Sequence, residues 1–267
     1  MSDGREYSTK EIQNKLLEIL AYFDDYAKKN KIRYYLAGGT LLGAVRHGGF
    51  IPWDDDVDLM IPRTDYDRLI HSYPNDGQYH LDSCETTPGY GTTFARLWDT
   101  HTRLADNENP DLKGLFIDLF PIDGYPQSKL MSKAFAAKLR YKRLLVDLAK
   151  RPKIKKPEKY WQLKRLLQMS VRKDANTYAQ RHNRYAKKIN YDKADYVGVT
   201  STSVHIFRER NNKDIFRSTE YLPFENLSLP APSGYDTYLK HLYGDYMTLP
   251  PVEKRHSTHV FKILKLD

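Results

Sequence analysis

Apolar and polar positions along this chain recur in two rhythms, one of about 3.6 residues and one of two, and the switches between them mark out its elements. Ser8 followed by Glu11 is a capping-box signature. Ile12, Leu16, Ile19, Leu20 and Phe23 then share one helical face, which predicts an amphipathic helix over residues 8–30. A short strand, RYYLAGG, closes on two glycines. The segment TLLGAVRH, from Thr40 to His47, reads as a short helix, VDLMI as a strand, and Thr64 to Tyr73 as the next helix. Between Gly77 and Pro121 the runs YHLDSC, TTFARLWD, THTRLAD and GLFIDLFPID, separated by turn residues, predict several short strands.

From Gln127 to Ile189 the character changes to Lys, Arg, Leu and Ala at helical spacing. Pro152 and Pro157 in RPKIKKPEK interrupt it, so two long basic helices are expected. The tail brings a loop-like TSTSVHIFRERNNKD, a proline-rich turn LPAPSG, a short helix YDTYLKHLYGD and the segment YMTLPPVEKRHSTH. No internal repeat or low-complexity tract interrupts this α+β order.

Composition narrows the class. A chain of 267 residues with 40% apolar content supports a sizeable core in one elaborated domain or two small ones. A single cysteine, Cys84, excludes an internal disulfide and a multi-cysteine zinc site and fits a reducing compartment, so a cytoplasmic location is expected. The first twenty residues lack an apolar signal core, and no stretch reaches the roughly 18 apolar residues of a membrane-spanning helix. The net charge of +9 points to an anionic partner: nucleotide, nucleic acid, polyphosphate or lipid surface. Lys129 to Asn190 holds 20 basic and 3 acidic residues, a net of +17, which leaves −8 for the rest of the chain.

The acidic remainder is concentrated. Asp54, Asp55, Asp56 and Asp58 crowd into five consecutive positions. Like charges this close repel unless water, cations or cationic substrates offset them. On a strand, Asp56 and Asp58 point the same way while Val57 and Leu59 point into a core, so two carboxylates converge. Oxygen-only ligands suit a hard cation, and Mg²⁺ is commonly held by one or two carboxylates plus substrate phosphates and waters. Asp118, alone among apolar neighbours in LFIDLF, is costly there unless paired or metal-bound, and it would complete a two-metal site. Upstream, Gly38 and Gly39 close a strand ahead of the helix starting near Thr40, an arrangement of backbone amides that binds anions.

The order strand, Gly-Gly-Thr, helix, Asp-x-Asp on a strand and a lone Asp on a later strand resembles the nucleotidyltransferase superfamily. More narrowly, AGGTLLGAVRHGGFIPWDDDVDLMIP resembles the signature of the LicD family of phosphotransferases, which includes the fukutin-related proteins. FIDLFPIDGYP and the tail YGDYMTLPP resemble it as well, so both halves of the chain are touched. The resemblance implies an α+β, nucleotidyltransferase-like core, a mixed sheet flanked by helices, over residues 1–125. A basic helical insertion would follow at 126–190, and a C-terminal segment, 191–267, would pack back on the core.

The activity it implies is Mg²⁺-dependent transfer of an alcohol phosphate from a CDP-alcohol donor to a sugar hydroxyl of a glycan or lipid-linked glycan acceptor. The cofactor would be one or two Mg²⁺ ions, with Mn²⁺ as a substitute. Position by position, Asp56 and Asp58 match the metal-binding Asp-x-Asp, Asp118 matches the third carboxylate, and Gly39 and Thr40, beside Gly38, match the phosphate loop. Asp118 is also the carboxylate expected to help deprotonate the incoming hydroxyl, while Asp54 and Asp55 orient ligands or waters. Members of this size are similar to the phosphocholine transferases that decorate teichoic acid or lipopolysaccharide, which makes CDP-choline the first donor to try. Relatives use ribitol phosphate, and the zinc-binding cysteines of the fukutin-related branch have no counterpart here.

Around this centre, Arg46 and His47 contact phosphate at a helix end, or Arg46 pairs with Asp54 or Asp55. Arg96 neutralises donor phosphate or makes a structural ion pair. Lys254 and Arg255 in the family-like tail are expected at phosphate. His256 and His259 share a His-x-x-His spacing without a third soft ligand and weigh little for a metal. Trp53 is expected to pack under its loop. The basic helices, with Trp161, Leu163, Leu166 and Leu167 on an apolar face, fit a solvated basic subdomain, a peripheral contact with the anionic inner face of the membrane, or an RNA-binding surface. Nucleic acid is not the expected partner. Two rivals remain: a true nucleotidyltransferase consuming a nucleoside triphosphate, and a non-enzymatic binding module, against which the intact three-carboxylate set argues.

Overall fold

Residues 7–105, 111–151, 160–202, 205–256 and 262–265 are described by the computed structural model. The first helix, α1 (Thr9–Lys29), starts where its cap predicts. The Ser8 hydroxyl accepts the Glu11 N–H (3.3 Å) while the Glu11 carboxylate accepts the Ser8 N–H (2.9 Å). Its buried face, Leu16, Ile19, Leu20 and Phe23, packs into the main core against the sheet.

There follow β1 (Tyr35–Leu36), α2 (Gly38–His47), β2 (Asp58–Pro62), α3 (Arg63–Ser72), β3 (Tyr79–Asp82), β4 (Ala95–Asp99), β5 (Arg103–Ala105) and β6 (Phe116–Tyr125). The helices α4 (Lys129–Lys150), α5 (Trp161–Met169) and α6 (Ala175–Ala186) come next. The chain then forms β7 (Tyr196–Val199), β8 (Asn211–Asn212), β9 (Thr219–Phe224), β10 (Leu227–Pro232), α7 (Tyr235–Tyr243) and β11 (Lys262–Lys265). The result is a mixed α/β fold with seven α-helices among the described residues.

A seven-stranded sheet runs β1-β2-β6-β4-β3, with β7 joined to β6 and β8 to β7. Among the described residues only β2 and β6 pair in parallel, with Asp58 opposite Asp118 and Pro62 opposite Ile122. The long strand β6 changes antiparallel partner along one edge: residues 116–119 pair with β4 and residues 122–125 with β7. Pro121 falls between the two ladders, where its missing N–H breaks no antiparallel bond. Smaller antiparallel pairs join β9 to β10 and β5 to β11.

Three features depart from the local pattern. The two expected basic helices are three, because Asp174 accepts the Thr177 N–H (2.8 Å) and caps a new helix after the turn at residues 170–173. Pro152 and Pro157 lie outside the described residues. The proline-rich LPAPSG is largely strand β10, tolerated because a two-stranded sheet gives each strand an outer edge. Residues 196–199, just before the segment read as loop-like, and 211–212, near its end, enter the main sheet as β7 and β8.

The insertion has its own small cores. Phe135 and Leu139 of α4 pack with Tyr125 and Ala186, and Val146 packs with Tyr178, Ala179 and Cys84. Burial pushes the Cys84 thiol up to about 12, which leaves it a packing residue rather than a nucleophile. Among the described residues no helix is long and apolar enough to cross a membrane.

Candidate active site

The pairing of four strands sets the chemistry in a row. Asp58 on β2 stands opposite Asp118 on β6, Asp118 opposite Arg96 on β4, and Arg96 opposite Asp82 on β3. Cross-strand partners share a face, so these side chains line up on one side of the sheet. Arg96 Nε donates to Asp118 Oδ1 at 2.7 Å, and its guanidinium lies over the Phe116 ring (4.2 Å to the centroid). The Arg96 Nη1 is buried without a hydrogen-bond partner among the described residues. The structural ion-pair reading of Arg96 is therefore realised, with one donor left over.

The aspartate run alternates as a strand would, beginning before β2 does. Asp54, Asp56 and Asp58 are half-buried and line a cavity of about 440 Å³, while Asp55, Val57 and Leu59 are buried. Gly38, Gly39 and Phe120 line the same cavity, and α7 closes it with Tyr238 and Tyr243. The Asp58 carboxyl is raised well above the usual carboxylate range, first by burial and then by the charges of Asp56, Asp118 and Asp54. Arg96 only partly counters them.

Helix α2 holds Asp58 in place. The Asp58 N–H donates to Thr40 Oγ1 (2.8 Å), and the Ala37 N–H donates to the Asp58 carbonyl (3.0 Å). The helix starts at Gly38 rather than near Thr40, so the glycines form its first turn. Gly38 has φ +48°, and a Cβ there would sit 3.3 Å from Asp58 Oδ2; a Cβ on Gly39 would sit 3.0 Å from Asp54 Oδ2. Only glycine lets the positive end of the helix approach these carboxylates so closely.

Other sequence candidates lie elsewhere. Thr40 and Asp55 are buried and do not line the cavity, and neither does Asp118. Arg46 and His47 occupy the C-terminal end of α2, about 13 Å of helix from Gly38. There Arg46 Nη1 donates to the Tyr246 carbonyl (2.7 Å) and Nε to His47 Nε2 (3.1 Å). Burial and then the neighbouring Arg46 charge hold His47 below the usual histidine range. Arg255 lies over Trp53 (5.7 Å to the ring centroid) and donates to the Pro250 carbonyl (2.8 Å), while Trp53 packs against the core. Lys254 and His256 are exposed, and His259 lies outside the described residues.

The fold adds cavity residues that sequence reasoning passed over. Glu209 is buried at 4% exposure, accepts one long hydrogen bond from the Val199 N–H (3.4 Å), and has its carboxyl pushed up to about 8 by burial. Between Arg208 and Arg210 it reads as a solvated surface residue, so no local signal marks it. His205 lines the same cavity with its ring edge-on to Tyr243 (5.5 Å), and burial followed by the Arg208 charge lowers its pKa.

Among the described residues, no three His, Cys, Asp or Glu side chains are gathered into a ready-made metal cage. The donor set nonetheless suits one hard cation. Asp56 and Asp58 face an open cavity, Arg96 only partly offsets the charge crowded around the Asp58 carboxyl, and Mg²⁺ typically takes only one or two carboxylates, leaving the rest to phosphates and water.

Residues 31–152 match the family described as LicD/FKTN/FKRP, nucleotidyltransferase domain. The chain is 30% identical over 263 residues to the lipopolysaccharide cholinephosphotransferase LicD of Haemophilus influenzae, covering 96% of this chain and 97% of that protein. A shorter match, 70% identical over 30 residues, is to the ribitol 5-phosphate transferase FKRP of Homo sapiens, 11% of this chain and 6% of that protein. Mannosyltransferase regulator 4 of Saccharomyces cerevisiae is 31% identical over 120 residues, 45% of this chain and 9% of that protein.

Proposed function

Because this chain belongs to the LicD family, we propose that it moves an alcohol phosphate, phosphocholine first among them, from a CDP-linked donor to a sugar hydroxyl. The acceptor would be a teichoic acid or other cell-surface glycan precursor, and CMP would leave. The observation that carries this reading is the cavity lined by Asp54, Asp56 and Asp58 in a chain that aligns almost end to end with a cholinephosphotransferase. The short, highly identical match to a ribitol 5-phosphate transferase supports ribitol phosphate as the second reading, within the same reaction class.

Asp56 and Asp58 would hold Mg²⁺, with Mn²⁺ as a substitute; once bound, the cation supplies charge that offsets the donor phosphates and the leaving CMP. Thr40 and Ala37, at the start of α2, fix the Asp58 backbone, which keeps that carboxylate oriented without substrate. Asp118 positions Arg96, whose buried guanidinium supplies positive charge beside Asp58. With Asp118 engaged by Arg96, Glu209 is the better group to take the proton of the attacking hydroxyl. It lines the cavity, and a carboxyl near 8 is matched to base catalysis around neutral pH. The hydroxyl attacks in line the phosphorus that bears the alcohol, and positioning and charge stabilisation provide most of the rate.

Calorimetric titration of CDP-choline, CDP-ribitol, CDP-glycerol and CTP, each with and without Mg²⁺, tests the proposal alongside an assay for released CMP or pyrophosphate. Mg²⁺-dependent preference for one CDP-alcohol, with CMP released, names the donor. Preference for CTP with pyrophosphate release would instead make the chain a true nucleotidyltransferase. Binding indifferent to metal would remove the cation from Asp56 and Asp58.

A further inference from the structure

We infer that the basic helical insertion docks the chain peripherally on an anionic lipid bilayer. On α4, Leu130, Ala134, Ala137 and Tyr141 follow one another at i, i+4, i+7 and i+11, and all four are exposed, Leu130 to 78%. At about 100° per residue this is a narrow apolar stripe, with Lys133 and Arg140 on one flank and Lys138 on the other. Long basic side chains beside an apolar stripe suit a headgroup boundary, where their stems lie along hydrocarbon and their charges reach phosphate.

The second helix repeats the arrangement. None of the nine residues of α5 is buried, and Leu163, Leu166 and Met169 are exposed to 57%, 64% and 78%. The helix is tied to the end of α4, since Gln168 Nε2 donates to the Leu148 and Arg151 carbonyls (3.2 and 3.0 Å). So short a helix has little stability of its own in water and needs a surface for its apolar face.

Charge decides the occupant. Lys129 to Asn190 carries a net +17 from 20 basic and 3 acidic residues. A second copy of the chain would bring the same charge against it, and RNA would answer the charge but leave the aliphatic side chains unused. An anionic bilayer satisfies both.

The surface also adjoins the cavity. Phe207, half exposed, lies beneath the Arg140 guanidinium (5.9 Å to the ring centroid), and the same loop brings His205 and Glu209 to the cavity wall. Docking through α4 would bring the cavity close to a lipid-borne acceptor. The docking itself rests on the helices and not on the proposed reaction, so its test reads lipid alone.

The full chain is floated with vesicles of phosphatidylcholine and with vesicles of phosphatidylcholine containing phosphatidylglycerol. The expected result is flotation with the anionic vesicles only, falling as salt shortens the Debye length below about 8 Å. Leu163→Glu with Leu166→Glu should lower partitioning by about a hundredfold, since two embedded leucines are lost, with circular dichroism and melting unchanged because neither side chain is buried. Lys164→Ala with Arg165→Ala should lower it several-fold and reads the charge separately. Absence of wild-type flotation, or flotation unaffected by the double glutamate variant, overturns the inference. A lipid-free dimer that the same variant dissociates also overturns it by assigning the face to a second copy, as does RNA binding without lipid binding.

Discussion

Glu209→Gln should separate the stability of this chain from its catalysis through pH. In the folded chain burial pushes the carboxyl from 4.5 to about 8, and the Val199 N–H gives it only one long hydrogen bond (3.4 Å); unfolding returns it to its ordinary range. Between those pH values the folded chain keeps a proton that the unfolded chain releases. Stability from this group is therefore lost as pH rises from about 4.5 to about 8. At about 1.4 kcal/mol per pH unit the whole effect is about 5 kcal/mol, and the part falling between pH 6 and pH 9 is about 3 kcal/mol. The glutamine variant is neutral throughout and escapes it. Urea unfolding of both proteins at pH 6 and pH 9 should show the wild type losing that much more than the variant, the other titrating groups largely cancelling in the difference. CMP release by the variant should fall by about 10²–10⁴ and lose its inflection near pH 8. Parallel stability profiles would mean that Glu209 is already ionised in the folded chain, refuting the burial argument. An unchanged rate would remove it as the base.

Asp58→Asn should reduce turnover at least about a hundredfold and abolish any Mg²⁺-induced rise in melting temperature, while the metal-free variant melts no lower than the wild type because a crowded buried charge has gone. A drop in the metal-free melting temperature would show the carboxylate holding the fold instead. Gly38→Ala should cost about 1–2 kcal/mol in chemical denaturation, from φ +48° and a Cβ 3.3 Å from Asp58 Oδ2; unchanged stability would mean that the helix start relaxes. Asp123 is fully buried and accepts Arg63 Nε (2.6 Å), Arg63 Nη2 (2.7 Å) and the Thr200 hydroxyl. Asp123→Asn leaves the buried Arg63 with only the longer, more exposed contact to Asp67 (3.4 Å) and should cost about 3 kcal/mol by urea unfolding. A loss below about 1 kcal/mol would contradict the pairing.

Much of the candidate site was legible along the chain. The strand alternation that aligned Asp56 with Asp58 holds and takes in Asp54 as well, and the lone Asp118 does find an ion partner in Arg96, as a carboxylate among apolar neighbours must. The glycine pair was recognised as a close-approach element, but its neighbours are carboxylates and its place is inside the first turn of α2. Arg46 and His47, read as phosphate contacts from their place at a helix end, and Arg255, from the family-like tail, gather around Trp53 and the Tyr246 carbonyl.

By itself, the sequence determined what depends on neighbours a few residues away: the cap that starts α1, the alternation that aims Asp56 and Asp58 one way, and the basic, apolar-striped character of the insertion. Only the tertiary structure decided that β10 is a strand despite its prolines, that β7 joins β6 beyond Pro121, and that Glu209, flanked by arginines, stands buried at the cavity wall. Strand partners and burial depend on which distant segments come to lie alongside, and a group's local composition does not record what will cover it.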